Sequence, residues 1–186
     1  MNALFARKLF TTTEYHKLRE TGFFSEDDRV ELIDGEIIAM SPIGPKHAGC
    51  VNKLNAFLNR KVGRHAIVAP QNPVWLNEYS EPQPDIALLK PRDDFYMNSH
   101  PTPQDTLVAI EVADSTLEGD RQIKLPKYAQ AGVPEFWLVD LVNNRIEVHA
   151  LPNEGVYQEV RIILRHQNII SRVLPNLKLK ASDVLG

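Results

Sequence analysis

The order of helix-like and strand-like segments between residues 46 and 140 restricts the fold more than any other sequence feature. Apolar residues three and four apart predict a helix from about Lys46 to Val62. Strand-like runs follow at residues 65–69, 74–77, 85–89 and 107–112. A second helix is predicted from about Arg121 to Ala131, and Phe136–Asp140 is typical of a buried strand. This order predicts an α/β (α+β) fold with a mixed central β-sheet flanked by helices.

Further elements are predicted on both sides of this core. A threonine cap predicts a helix over about 13–21, and residues 30–40 are typical of two strands around an Asp34-Gly35 turn. Strand-like runs recur at 145–150, 156–163 and 169–174, and prolines predict an exposed loop over 90–104. The 186 residues are expected to form one domain: a core of about 46–140, a helix and hairpin at 11–40, and added antiparallel strands at 145–174.

Composition and charge exclude several protein classes. The chain has 21 Lys+Arg and 24 Asp+Glu, a net charge of -3, which argues against a strongly basic nucleic-acid coat protein but permits a local basic patch. Cys50 is the single cysteine, so neither an internal disulfide nor a zinc-finger cluster can form. Neither a signal-peptide stretch nor a run of about 18 apolar residues is present, so we expect a cytoplasmic protein without a membrane span.

Two acids stand within apolar strand-like runs. Asp85 opens the run 85–89, and Glu111 lies near the end of the run 107–112. A buried carboxylate costs several kcal/mol unless it is paired, so two of them on neighbouring strands suggest a shared cation. Two carboxylates and a backbone carbonyl, with Val112 as the candidate, would suit Mg²⁺ or Mn²⁺. Two strand-end acids bonded to backbone or arginine would give the same pattern.

A lysine follows these acids on the predicted helix. Asp120, Lys124 and Tyr128 are spaced at i, i+4 and i+8, so Lys124 could face the acids. A lysine beside a metal site could stabilise the negative charge that develops on an attacked phosphate. An ordinary solvated helix charge is the alternative.

The remaining candidates are weaker when taken singly. Glu31 alternates with Leu32 in the hairpin, and His47 extends the apolar stripe of the first helix. His47 could be a metal-shell or proton-transfer residue, or simply a hydrogen-bonded histidine. Trp75 and Trp137 are expected in the core. Serine-hydrolase, phosphate-loop, dinucleotide-binding and zinc-protease motifs are absent from the sequence.

Several blocks of the sequence together resemble the Uma-two (Uma2) family of restriction endonucleases, within the PD-(D/E)xK nuclease superfamily. The blocks are Glu31-Leu32-Ile33-Asp34-Gly35-Glu36, Ser41-Pro42 followed by His47, Pro82-Gln83-Pro84-Asp85, Ile110-Glu111-Val112, Asp120-Arg121 with Lys124, and Tyr128 to Asp140. They extend over residues 31–140, which is most of the chain.

The resemblance implies a restriction-endonuclease-like core and metal-dependent hydrolysis of DNA phosphodiester bonds. On the family pattern Asp85 supplies the first metal-binding carboxylate and Glu111 the second. The position for the catalytic lysine, two residues after Glu111, holds Ala113. The resemblance implies that Lys124 on the following helix replaces it. Glu31 and His47 would then complete the catalytic pocket.

The resemblance leaves partners and two other functions open. DNA is the expected partner, with the 90–104 loop and the cluster Arg60, Lys61 and Arg64 as candidate contacts. A homodimer would suit cutting of two strands. Ala113 and the acidic balance also permit a catalytically inactive nuclease fold that binds nucleic acid or protein. The same acids would also serve a hydrolase of small phosphoesters.

Overall fold

A capped helix, a hairpin and a long helix come before the central sheet. In the computed structural model, which describes residues 6–25 and 27–185, they are α1 (Thr12–Glu20), β1 (Val30–Ile33), β2 (Glu36–Ala39) and α2 (Pro45–Val62). Helix α1 begins with a capping box between Thr11 and Glu14. Asp34 and Gly35 both have positive φ, as a tight hairpin turn requires. The predicted helix and hairpin are therefore confirmed.

A mixed sheet forms the centre of the fold. Its strands are β3 (Ile67–Pro70), β4 (Ile86–Leu89), β5 (Thr106–Ala113), β6 (Glu135–Asp140), β7 (Arg145–Asn153) and β8 (Val156–Leu164). They lie in the order β3-β4-β5-β6-β7-β8. Strands β5 and β6 are parallel, because a helical crossover joins them, and the other neighbours are antiparallel. The predicted mixed sheet is confirmed.

Strand β5 separates two hydrophobic cores. Ile110 and Val112 face the core that contains Leu54 of α2. Ala109 and Ala113 face the opposite core, which contains the crossover helix. Because side chains alternate along a strand, Glu111 shares the face of Ala109 and Ala113. The sequence of this one strand thus sets which acid points at the crossover.

The crossover between β5 and β6 contains a π-helical turn. It runs as α3 (Leu117–Gly119), a π segment (Asp120–Lys124) and α4 (Leu125–Ala131). Pro126 has no N–H, so it cannot continue the i→i−4 ladder, and its ring crowds the carbonyl four residues earlier. The wider π turn directly before Pro126 removes this conflict. The predicted helix therefore starts earlier than expected, at Leu117, and is not regular.

The strand predicted at 74–77 is wrong, and so is the core position predicted for Trp75. The backbone N–H groups of Val74, Trp75 and Leu76 donate to loop carbonyls of Pro82, Pro101 and Ser80, instead of forming a strand ladder. Trp75 is 39% exposed, and its indole N–H donates to the Thr12 hydroxyl of α1. Trp137 is fully buried, as expected.

The C-terminal region differs in detail from the prediction. A small antiparallel pair forms from β9 (Asn168–Ile170) and β10 (Lys178–Lys180), and α5 (Ala181–Leu185) follows. The expected strand at 169–174 stops at Ile170, because residues 171–173 turn to bind a buried carboxylate. Helix α5 then packs its apolar side chains into the α2 side of the core.

That buried carboxylate belongs to Glu135, the first residue of β6. One of its oxygens accepts from the Trp137 indole at 2.6 Å. The other accepts from the Ser171 hydroxyl and from the backbone N–H groups of Arg172 and Val173, at 3.0, 2.8 and 3.3 Å. Glu135 is fully buried, so these bonds attach the C-terminal segment to the central sheet away from water.

Replacement of Glu135 by alanine should destabilise the fold. It leaves four donors without their acceptor, two of them buried and two partly buried, at about 3 kcal/mol or more of the free energy of unfolding. Urea unfolding followed by circular dichroism measures this loss. The exposed Glu20→Ala is the control, with an expected change below about 0.5 kcal/mol. Equal effects of the two substitutions would contradict this role of Glu135.

Candidate active site

A cleft of about 280 Å³ opens where the β1–β2 hairpin and the start of α2 meet the crossover. It is lined by all five residues selected from the sequence, which come from five separate parts of the chain: Glu31, His47, Asp85, Glu111 and Lys124. The structure therefore brings every predicted site residue together.

The sheet register places the two strand acids side by side. Ile86 pairs with Ile110 in the antiparallel β4–β5 ladder, so Asp85, one residue earlier, stands opposite Glu111. The Asp85 Oδ2 atom accepts from the Val112 N–H at 2.9 Å and lies 3.0 Å from His47 Nε2. These two contacts hold the carboxylate of Asp85 at the floor of the cleft.

Lys124 connects acids from two different elements. Its Nζ lies 3.1 Å from Glu111 Oε1 and 3.1 Å from Glu31 Oε1, with Asp120 Oδ1 at 4.0 Å. The Glu31 carboxylate also accepts from the Gln83 N–H at 3.1 Å. Lys124 is 9% exposed, so it is not the solvated helix charge of the alternative reading.

Ala113 explains how a lysine from the crossover can reach Glu111. Its side chain is fully buried on the same face of β5 as Glu111 and packs in the core beneath the crossover. A lysine at this position would need the volume that the crossover now fills. The small Ala113 therefore permits the crossover to lie against β5, and Lys124 extends from it to the acid.

Two further groups in the cluster were not chosen from the sequence as site residues. The Tyr128 hydroxyl donates to Glu111 Oε1 at 3.3 Å, and Asp120 accepts from the Thr116 hydroxyl at 2.6 Å. Their spacing from Lys124 was the available signal, since residues four apart share a helix face. The π turn could not be read from that spacing.

Burial and crowding of acids shift the proton equilibria of the cluster. Burial raises the pKa of Glu111 well above its usual range; Lys124 opposes this effect, and Asp120 and Asp85 add to it. Burial likewise raises the pKa of Asp120. Burial by itself would lower the pKa of Lys124, but Glu111, Glu31 and Asp120 raise it above its usual value. Lys124 is therefore protonated throughout the physiological pH range.

The donor set of the cleft fits a divalent cation. Its lining contains more acids than cations: Glu31, Asp85, Glu111, Asp114 and Asp120 against Arg29 and Lys124. Asp85 and Glu111 offer oxygen ligands, which Mg²⁺ and Mn²⁺ prefer. Burial is the main cause of the raised pKa of Glu111 and neighbouring carboxylates add to it; a cation there would offset both effects. Val112 contributes its N–H to Asp85, and its carbonyl remains a predicted ligand.

His47 has one ring nitrogen bonded and one not. The bond of Nε2 to Asp85 raises the pKa of His47, although burial works against it. Within the described residues, Nδ1 has no hydrogen-bond partner, although it is buried. His47 therefore fixes the Asp85 carboxylate through one ring nitrogen, and its other ring nitrogen is buried without a partner among the described residues.

Comparison with known proteins places the chain in a family. The sequence model of Uma2, described as "Putative restriction endonuclease", matches residues 12–182. The chain belongs to the Uma2 family. This membership supports a nuclease function. No curated protein matches the chain.

A solved structure supports the same fold for this Uma2 protein. The crystal structure of a "putative nuclease belonging to DUF820" from Anabaena variabilis has a TM-score of 0.74 and 18% identity to this chain. The similarity covers 95% of this chain and 97% of the other. The predicted nuclease-type fold is therefore confirmed.

Across residues 6–25 and 27–185, none of the helices combines the length and the apolar character that crossing a bilayer requires.

Glu111→Gln should stabilise the metal-free Uma2 protein at pH 8, by a few degrees in Tm. The raised pKa means that the native state retains a proton that the unfolded chain has released above about its ordinary pKa of 4.5. Wild-type stability therefore falls as pH rises above that value. The amide has no such proton to release.

Thermal unfolding with a chelator between pH 4 and pH 8 measures this difference. We expect the gain in Tm to shrink towards zero at the acid end, where Glu111 is protonated in both the folded and the unfolded chain. The exposed Glu118→Gln, on the same crossover, is the control and should show no such trend. A gain that is constant with pH would contradict the assignment to Glu111.

Proposed function

We propose that this protein is a metal-dependent endonuclease that hydrolyses DNA phosphodiester bonds. The observation that carries the proposal is the buried ammonium of Lys124, 3.1 Å from Glu111 and in the same cleft as Asp85. Metal-dependent phosphodiester hydrolysis uses carboxylates that hold a cation, and a fixed positive charge beside the attacked phosphorus stabilises its transition state. Membership in the Uma2 family supports this reading.

Asp85 and Glu111 would hold Mg²⁺ or Mn²⁺, with the Val112 carbonyl as a further ligand. When bound, such a cation supplies Lewis-acid polarisation of the phosphate and lowers the pKa of a water molecule. Mg²⁺ is the first choice, because carboxylate oxygens are its usual protein ligands and it retains several waters.

Lys124 acts through its charge and not as a base. Its pKa lies above the usual value, so at neutral pH it has no lone pair with which to take a proton. Glu31 and Glu111 hold the ammonium between them, and this fixed charge can stabilise the negative charge on the phosphate oxygens in the transition state. In this role Lys124 replaces the lysine that the family pattern expects at position 113, where this chain has alanine.

Three other side chains position the reacting groups. His47 fixes Asp85 through its Nε2 atom. Glu31 holds Lys124 from the hairpin, and Tyr128 holds Glu111 from α4. The cleft thus depends on elements from both ends of the sequence range that resembles the family.

Surfaces around the cleft would bind the DNA backbone. Arg60 and Lys61 are exposed in the last turn of α2, and Arg64 is exposed in the short turn that follows it. Arg60 lies about 20 Å from His47 along the helix axis. That distance suits a duplex running across α2 from the cleft. The 90–104 loop, the homodimer and the cytoplasmic location remain predictions from the sequence.

Cleavage of supercoiled plasmid with Mg²⁺ or Mn²⁺ tests the proposal. We expect Asp85→Asn, Glu111→Gln and Lys124→Met each to reduce the cleavage rate about 100-fold or more, since each removes a metal ligand or the transition-state charge. Lys127→Met is the matched control for Lys124→Met, because Lys127 lies on the same crossover but pairs with Asp34 on the hairpin. That control should retain the wild-type rate.

A binding assay and a model phosphodiester assay, run beside plasmid cleavage, separate the other two functions. Binding of DNA or protein without metal-dependent cutting by the wild type would favour an inactive binding module. Cleavage of a model phosphodiester without plasmid cutting would favour a small-phosphoester hydrolase. Wild-type activity in Lys124→Met would contradict the role of Lys124 in any of these reactions.

A further inference from the structure

A second group of metal-ligating side chains lies outside the catalytic cleft. His16 of α1, Glu81 before β4 and His100 of the 90–104 loop each offer one ligand atom, and these atoms lie within 4.8 Å of one another. None of the three lines the cleft of Asp85 and Glu111. They line a separate open cleft together with Trp75 and Tyr96.

The geometry of this group is close to that of a tetrahedral zinc site. His16 Nε2 lies 2.9 and 3.0 Å from the two carboxylate oxygens of Glu81, and the rings of His16 and His100 are 6.0 Å apart. Zinc bonds of about 2.0–2.1 Å put tetrahedral ligand atoms about 3.3 Å apart. Small side-chain shifts would therefore admit the ion.

The burial of Glu81 gives the group a reason to bind a cation. Its side chain is 3% exposed, while the facing His16 is 40% exposed. A carboxylate removed from water needs a compensating positive charge, and a metal ion supplies a larger one than a histidine. The open cleft leaves a coordination position for water.

We propose that His16, Glu81 and His100 form a binding site for a late first-row divalent cation, with zinc as the best match. Two imidazole nitrogens and one carboxylate oxygen suit Zn²⁺, Co²⁺ or Ni²⁺ and do not suit Mg²⁺. The oxygen-rich cleft at Asp85 and Glu111 has the opposite preference. The two sites would therefore select different cations, because one offers imidazole nitrogens and the other offers carboxylate oxygens.

The site would brace the segment that carries Asp85. Glu81 lies four residues before Asp85, and its backbone N–H donates to Leu32 in the hairpin that also holds Glu31. His16 and His100 come from α1 and from the 90–104 loop. A bound ion would therefore join three segments that approach this strand start from different sides. Its role is structural and does not depend on the nuclease proposal.

Zinc titration by calorimetry tests the site without any use of DNA. The chelator-treated parent is the full chain with Asp85→Asn and Glu111→Gln, which removes the oxygen site. We expect one zinc ion per chain, and excess Mg²⁺ should not displace it. His100→Ala and Glu81→Gln should weaken zinc binding at least about tenfold. The exposed His166→Ala is the control and should bind as the parent does.

Thermal unfolding gives an independent measurement. Zinc should raise the Tm of the parent in a concentration-dependent way and should leave the Tm of His100→Ala unchanged. His16 and His100 are not core residues, so their alanine variants should fold. If Glu81→Gln does not fold, His16→Ala takes its place in the experiment. Failure of the parent to bind zinc, or unweakened binding in His100→Ala and His16→Ala, would overturn the proposal.

Discussion

The ion pairs that the Lys124 ammonium group forms with two buried carboxylates are the interaction on which the rest of this molecule depends. The ammonium lies between Glu111 on the central sheet and Glu31 on the N-terminal hairpin, 3.1 Å from each. Without it, buried carboxylates would face one another inside the protein, at a cost of several kcal/mol for each uncompensated charge. The same charge that permits the fold at this point is the one required beside a phosphate.

This arrangement explains why the hairpin, the sheet and the crossover must meet. The β4–β5 register sets Asp85 opposite Glu111, and the π turn aims Lys124 at them. Burial of Glu111, together with the surplus of negative charge around it, favours a proton on this carboxyl group, and a bound cation would remove that preference. Under the proposed function, the carboxylates that lower stability when no metal is bound are the ones that would hold the cation.

The secondary structure of two regions could not be predicted from the sequence. Residues 74–77 alternate like a strand, but the N–H groups of Val74, Trp75 and Leu76 bond to loop carbonyls. Residues 171–173 bind Glu135 and so stop the last predicted strand. In both cases hydrogen bonds to loop carbonyls or to a buried carboxylate replaced the ladder that the local pattern favours. Tyr128 was not predicted as a site residue for a related reason: its hydrogen-bond partner, Glu111, lies across the sheet–helix interface.

The sequence by itself determined the order of helices and strands, the hairpin turn at Asp34-Gly35, and the acids that open or end apolar strands. These are local properties, set by periodicity, by backbone preference and by the cost of charge in an apolar run. The tertiary structure decided which groups meet. Lys124 reaches Glu111 because Ala113 is small and Pro126 favours a π turn, and His16, Glu81 and His100 converge only when three distant segments pack together.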